Sequence, residues 1–332
     1  MLSSADLELV RRDLALPGLS IALDPDALRD ILRQGLPECD LGAATCTYLR
    51  YKPGTSCLAA WRVEVASQPI ELYVKAHRLG AHEKLDKAAR PTRVAGPLGA
   101  GRFVRNELGL AVSLFPNDRR LRAIARLADP ARREKLLREL LPDQPSLWKG
   151  AVETLRYKPE RRYVAHLRTP EGDQAVLRFY AATDFTQLAR QPFSSEGTLR
   201  VPRRLGLSSP RCAVAWEWLP GRSLGEVIKD AVLPIEAIRR TGAALSALHA
   251  QPGDGLRRSS RAAEAASLRA VADGLIALCP ALGGRIGAIA GRLIGDLEHE
   301  PPAFRPIHGD FYAHQVLVSE SLLCLVDFDE AL

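Results

Sequence analysis

The chain has no uninterrupted apolar run approaching the roughly 18 to 20 residues that a membrane-spanning helix needs. It does not open on the basic-then-apolar pattern of a secretory signal. Its six cysteines (39, 46, 57, 212, 279 and 324) form no C-x-x-C pair, and most lie in or beside apolar stretches. That pattern argues against a zinc site or disulfide frame and for free thiols in a reducing compartment. A cytoplasmic protein without a membrane partner is the expectation. Lysine is scarce as well: eight of the 46 basic residues, leaving 38 arginines. With abundant alanine and a single methionine, this skew fits a GC-rich genome better than a nucleic-acid surface. The net charge is +7, but basic residues are scattered among acidic ones along the sequence, so no nucleic-acid partner is expected. What remains is ordinary: 46% hydrophobic, 26% charged and 6% aromatic residues in 332. Collagen-like and wholly disordered classes are excluded, and the length allows two domains or one large one.

The chain repeats itself. Leu49-Arg50-Tyr51-Lys52-Pro53 recurs as Leu155-Arg156-Tyr157-Lys158-Pro159. Each copy runs into a β-like stretch, 58–63 and 164–168, and then a second carrying a basic residue, 70–75 with Lys75 and 175–180 with Arg178. In the second copy Thr169-Pro170-Glu171-Gly172-Asp173 reads as a hairpin turn. A five-residue identity with a matching downstream pattern indicates duplication.

Elsewhere, residues 4–14 and 25–35 read as short amphipathic helices, the second with Asp24 as N-cap and Pro25 at its first position. Residues 79–102 read as loop, and 119–141 as helix interrupted at Pro130. Pro142-Asp143-Gln144-Pro145 marks a boundary. Residues 213–219 form a strand stopped by Pro220-Gly221. From Ile235 the spacing turns helical, with apolar stripes at Ile238, Leu245 and Leu248, at Leu268, Val271 and Leu275, and at Ile286, Ile289, Leu293 and Leu297. Strands first and helices after indicate α+β.

The chemistry is concentrated in the last 26 residues. Two short apolar runs each present an acid at a bend: His308-Gly309-Asp310, with Gln315 five residues on, and Asp327-Phe328-Asp329. Phosphoryl transfer needs one carboxylate to orient the acceptor hydroxyl and take its proton. It needs a second carboxylate, with a carboxamide oxygen, to hold Mg²⁺ against the ATP phosphates. Asp310 suits the first role, and Asp327 and Gln315 the second. Protein kinases carry H-R-D with a following Asn, then D-F-G.

In these motifs the chain resembles the aminoglycoside phosphotransferase and choline kinase-like family of small-molecule kinases. Trp216 to Leu224 resembles that family's hinge strand and exit, and Gly242 to His249 its first large-lobe helix, so the resemblance covers about 150–332. It implies an α+β, protein-kinase-like two-lobed fold, here preceded by a degenerate duplicate of the small lobe. The expected domains are 1–145, a cap resembling a second small lobe; 146–221, the small lobe and hinge; and 222–332, a helical large lobe. The implied cofactors are ATP and Mg²⁺, and the implied partner is a small-molecule hydroxyl acceptor. Arg178 would clamp phosphate, and backbone around Glu217 and Leu219 would meet adenine. Glu196 would pair with Arg178 from a helix. Lys158 and Arg162 flank the turn where a phosphate-covering loop would lie, although that turn lacks glycine and also reads as a solvated basic hairpin.

Two departures stand out. Arg178 replaces the usual lysine, and Gln315 the usual asparagine, one methylene longer. Lys75 is the alternative ATP lysine, but it lies 235 residues before Asp310, against 132 for Arg178. The departures motivate a second reading, a nucleotide-binding pseudokinase or scaffold. Retention of both carboxylates argues against it, since an idle pocket gains nothing from two adjacent like charges. The sequence stops five residues after Asp327, where the resembling family continues with further helices. A fragment of a longer protein is therefore the expectation.

Overall fold

The computed structural model describes residues 2–35, 40–90, 94, 101–188, 191–230, 234–299, 304–320 and 322–332. The chain divides into two compact units. The first comprises residues 1–138, 152–165 and 179–182, and the second 139–151, 166–178 and 183–332. This division does not fall at 145/146, because pieces of the second repeat belong to the first unit.

The first unit opens with α1 (Ser4–Arg12), α2 (Leu19–Leu23) and α3 (Pro25–Gly35). Ser3 caps α1 through a reciprocal bond set with Asp6, and Asp24 accepts from the Asp26 N–H at 2.9 Å to start α3. Then come β1 (Leu41–Lys52), β2 (Ser56–Val65), β3 (Gln68–His77), α4 (His82–Ala89), β4 (Arg102–Arg105), β5 (Leu110–Leu114) and α5 (Pro130–Leu140). The expected loop at 79–102 thus contains a helix, while 91–93 and 95–100 lie outside the described residues. Pro130 begins α5 rather than interrupting a longer helix, as its fixed φ and missing N–H favour. The strands form one antiparallel sheet in the order β1-β2-β3-β5-β4. Its two-residue alternation sends Cys57, Ala59, Trp61, Leu72, Val74 and Val112 to one face. There they form a core with Leu16, Leu19, Leu28 and Leu32 of the α1–α3 segment. The opposite face carries Arg50, Lys52, Lys75 and His77 (below).

The second repeat supplies β6 (Ala151–Lys158), β7 (Arg162–Arg168), β8 (Gln174–Tyr180), α6 (Ala182–Leu188), β9 (Arg204–Ser208) and β10 (Ala213–Glu217), with sheet order β6-β7-β8-β10-β9. The two sheets share one topology, including a short helix after the third strand. A single 3₁₀ turn precedes β5 and β10, ended by a left-handed residue, Gly109 in one copy and Cys212 in the other. Lys75 and Arg178 stand 103 residues apart, as do Asn106 and Ser209, and Leu110 and Ala213. The duplication read from one pentapeptide therefore extends through the whole sheet, and it makes Lys75 and Arg178 equivalent. The 169–173 hairpin is present, with Gly172 at φ +101° and Thr169 N–H bonded to the Asp173 carbonyl.

The second unit continues through β11 (Arg222–Ser223), α7 (Leu224–Val227), α8 (Ile235–Ala250), α9 (Arg261–Leu278), α10 (Gly283–His299), β12 (Val316–Val318) and β13 (Leu323–Leu325). Its core joins Phe193, Leu199, Val201, Ala244, Leu248, Val316 and Leu325. The apolar stripes are a correction. Ala237, Thr241, Ala244 and Leu248 form the buried face of α8, while Ile238 is exposed. On α9 and α10 the buried residues are Ala265, Ala272 and Ile294, whereas Val271, Leu275, Ile289 and Leu293 are exposed. On α8 Leu248 of the expected stripe is buried and Leu245 packs against the core, whereas on α9 and α10 periodicity identified the helices but not the side they bury. Cys46, Cys57, Cys212, Cys279 and Cys324 are free thiols, and Cys39 lies outside the described residues. Among the described residues no helix is long and apolar enough to cross a membrane.

Candidate active site

Asp310 and Asp327 lie on two loops of the second unit, one leading into β12 through a 3₁₀ turn at Ala313–Gln315 and the other leaving β13. Antiparallel pairing of Val316 with Leu325 and of Val318 with Leu323 sets those loops side by side. His308 ties them together. It is buried, its Nε2 donates to the Val326 carbonyl at 3.0 Å, and its ring packs on Phe328 and Phe311 at 4.9 and 5.6 Å. Gly309 has φ +82°, and a Cβ there would lie 1.8 Å from the Glu330 carbonyl oxygen. The middle residue of H-G-D must therefore be glycine, for both backbone conformation and space. Asp310 follows it on the exposed surface, where an acceptor could reach it.

Asp327 is the meeting point of the expected site. Arg178, on β8, donates from Nη1 to Asp327 Oδ1 at 2.7 Å and to Asp329 Oδ1 at 3.2 Å. Gln315 is buried, and its Nε2 donates to Asp327 Oδ2 at 3.4 Å, while its backbone carbonyl accepts from the Val326 N–H. Asp327 holds a left-handed φ of +68°, a conformation that costs a non-glycine residue energy and recurs at functional positions. The structure thus brings Arg178, Gln315 and Asp327 together, and it adds Asp329. Sequence reading assigned Asp329 no role, although its place two residues after Asp327 was the available signal. Among the described residues no cluster of three His, Cys, Asp or Glu side chains would hold a metal. Two carboxylates and a carboxamide are nevertheless the hard oxygen set that suits Mg²⁺, which keeps several waters and takes only one or two carboxylates. The residues present fit that ion.

The remaining site residues are placed as follows. Glu217 ends β10; its carboxylate accepts from Arg200 at 2.6 Å and its N–H donates to the Arg203 carbonyl at 2.8 Å. Leu219 is buried just beyond, and Trp218 stacks on His166 with ring centroids 3.9 Å apart. Glu196 is a correction: it is exposed, bridged to Leu199 in a tight turn rather than carried on a helix, while Arg178 pairs with Asp327 and Asp329. Lys158 and Arg162 belong to the first unit, at the end of β6 and the start of β7. The turn between them is not simply a solvated hairpin, because Glu160 within it is buried and holds Lys75 and Arg50.

A sequence profile of the phosphotransferase enzyme family matches residues 151–332, more than half of the chain. This chain belongs to the phosphotransferase enzyme family. The α+β, protein-kinase-like class expected from the C-terminal motifs is borne out with it. No curated protein sequence matches the chain. Solved structures similar to it include a thermostable mutant of aminoglycoside phosphotransferase APH(4)-Ia in ternary complex with ADP and hygromycin B. It has 16% identity and a TM-score of 0.45, over 60% of this chain and 71% of that one. Macrolide 2'-phosphotransferase MphH from Brachybacterium faecium has 21% identity and a TM-score of 0.38, over 54% and 66%. Choline kinase from Cryptosporidium parvum Iowa II has 11% identity and a TM-score of 0.43, over 61% and 65%. The family assignment rests on residues 151–332 and not on these likenesses.

Proposed function

We propose that this phosphotransferase moves the terminal phosphoryl group of ATP, with Mg²⁺, to a hydroxyl of a small molecule. The observation that carries the reading is the convergence of Arg178, Gln315 and Asp327 beside the loop of Asp310. Asp310 accepts the proton of the attacking hydroxyl and fixes its direction. Asp327 and Gln315, with Asp329 next to them, would hold Mg²⁺, which when bound neutralises charge on the phosphates. Arg178 offers a guanidinium fork to a phosphate oxygen. The Glu217 N–H is already committed within the β9–β10 region, so an adenine contact falls to the backbone of Leu219.

One observation favours the second reading, a nucleotide-binding pseudokinase or scaffold. Arg178 places a cation directly on the carboxylate that would ligand the metal. ADP release measured over a panel of small alcohols, amino alcohols, sugars and nucleosides separates the two. Turnover that disappears in Asp310→Asn supports the enzyme; ATP binding without turnover on any acceptor supports the scaffold.

A further inference from the structure

The sheet face of the first unit that points away from α1–α3 has no role in the proposed reaction, and it carries an unusual charge. Strand register sets Arg50 beside Leu58 and Lys75, and Lys52 beside Ser56 and His77. These side chains line a cavity of about 870 Å³ together with residues of α4 and the 117–125 segment, all of them within the first unit. Ten lysine and arginine side chains face it, against two carboxylates, Asp118 and Glu160. Residues scattered in sequence are thus gathered in space.

Both carboxylates are already engaged. Asp118 is buried and accepts from the N–H groups of Arg120, Leu121 and Glu160 and from the Tyr157 hydroxyl. Glu160, also buried, pairs with Lys75 and Arg50. It occupies the position equivalent to Gly54, with the same left-handed backbone (φ +60° and +63°), so the second copy bears a strained glutamate where the first uses glycine. Lys52, Lys84, Arg90, Arg120 and Arg122 make no side-chain hydrogen bond or ion pair with a described residue. His77 is 2% exposed, and its Nδ1 has no partner among the described residues. Burial, then Lys75 and Lys84, hold that imidazole down at about 4, so it is neutral and its ring nitrogens can serve a ligand.

Like charges gathered around one cavity repel, and a cavity of this size suits a nucleotide-sized ligand. Guanidinium forks match phosphate oxygens bidentately. We propose that this cavity binds a small polyanion carrying two or three linked phosphates, at a site separate from the phosphoryl-transfer centre. The phosphates lie against Lys52, Arg120 and Arg122, with Lys75 held at the floor by Glu160. The inference does not depend on the proposed reaction.

The test titrates the full chain with inorganic triphosphate by calorimetry at physiological salt. It compares the wild type with the triple variant Lys52→Gln, Arg120→Gln, Arg122→Gln, whose altered side chains are exposed and unbonded. An Asp327→Asn protein isolates any binding at the catalytic centre. The expected result is a saturable site that survives Asp327→Asn and weakens at least tenfold in the triple variant. The ligand-free melting temperature and any transfer activity of the triple variant stay unchanged. Competition at this site by ATP but not by adenosine identifies a nucleotide as the source; competition by pyrophosphate alone identifies a free or sugar-linked phosphate chain. Equal triphosphate affinity in wild type and triple variant overturns the proposal. So does loss of all binding in Asp327→Asn, and so does binding of heparin or RNA that triphosphate does not displace. Absence of turnover on every acceptor leaves this result standing and counts only against the proposed reaction.

Discussion

Asp310 and Gly309 are adjacent, yet they fail for different reasons when changed. Asp310→Asn keeps shape and removes the base, so transfer should fall by about 10²–10⁴-fold with ATP affinity unchanged, read by steady-state kinetics beside calorimetry. Near-normal turnover would remove Asp310 from the mechanism. Gly309→Ala should disturb the whole loop, since its Cβ meets the Glu330 carbonyl, and it should lower melting temperature and activity together. His77 gives a pH signature. Its folded value of about 4 lies below the ordinary 6.5, so below pH 6.5 the unfolded chain gains a proton that the folded chain refuses. Stability should therefore decline between pH 6.5 and 4, by about 3 kcal/mol at 1.36 kcal/mol per pH unit. His77→Gln should flatten that part of the stability profile in denaturant titrations. Glu160 is held below its ordinary value by Lys75 in spite of burial, and its own loss belongs to a lower window, below about pH 4.5.

Within elements, two glycines make opposite forecasts. Gly206 lies on β9 where a Cβ would come within 1.9 Å of the Leu140 carbonyl at the end of α5. Gly206→Ala should therefore force the strand from the helix end and cost several kcal/mol of the kind seen in overpacked cores, of order 1–3 or more. Gly242 lies inside α8, exposed, with nothing near its missing Cβ. Gly242→Ala should stabilise by about 0.5–1 kcal/mol through helix propensity and a less flexible unfolded chain. Thermal melts of the two variants check both; matching shifts would contradict the packing described for β9 and α5.

For the whole molecule, the first unit is not a contiguous stretch. It takes in 152–165 and 179–182, and with them Tyr157, Glu160, Tyr163 and Phe179. The rings of Phe115, Tyr157, Tyr163 and Phe179 pack in series at 5.3–6.1 Å. Residues 1–145 alone would leave Asp118 without Tyr157 and the Glu160 N–H, and Lys75 without its carboxylate. Breaking a buried pair in this way costs about 3–5 kcal/mol, comparable with a domain's net stability. The isolated 1–145 segment should therefore lack a cooperative melt, whereas 1–182 should retain near-native secondary structure by circular dichroism. The exposed Val271, Leu275, Ile289 and Leu293 of α9 and α10 should in addition bind a hydrophobic dye strongly in the native chain.

Local patterns in the sequence were sufficient for several conclusions. The repeated pentapeptide, the Asp24-Pro25 helix start, the 169–173 turn and the H-G-D and D-F-D bends depend on neighbouring residues, whose geometry short-range sterics and hydrogen bonds decide. From these followed the duplication and the choice of Asp310 and Asp327 as the centre of interest, while the order of strands before helices indicated the α+β class. Tertiary structure alone decided the rest. Which side of α9 and α10 is buried depends on what packs there, and in α8 the small residues Ala237, Thr241 and Ala244 share the buried face with Leu248 while Ile238 stays exposed. That Glu196 leaves Arg178 to Asp327 and Asp329 depends on partners about 150 residues away. The gathering of ten cations around one cavity follows from strand register and alternation, which aim Arg50, Lys52, Lys75 and Arg102 at it, and from the packing of α4 and the 119–122 segment, which bring the other six.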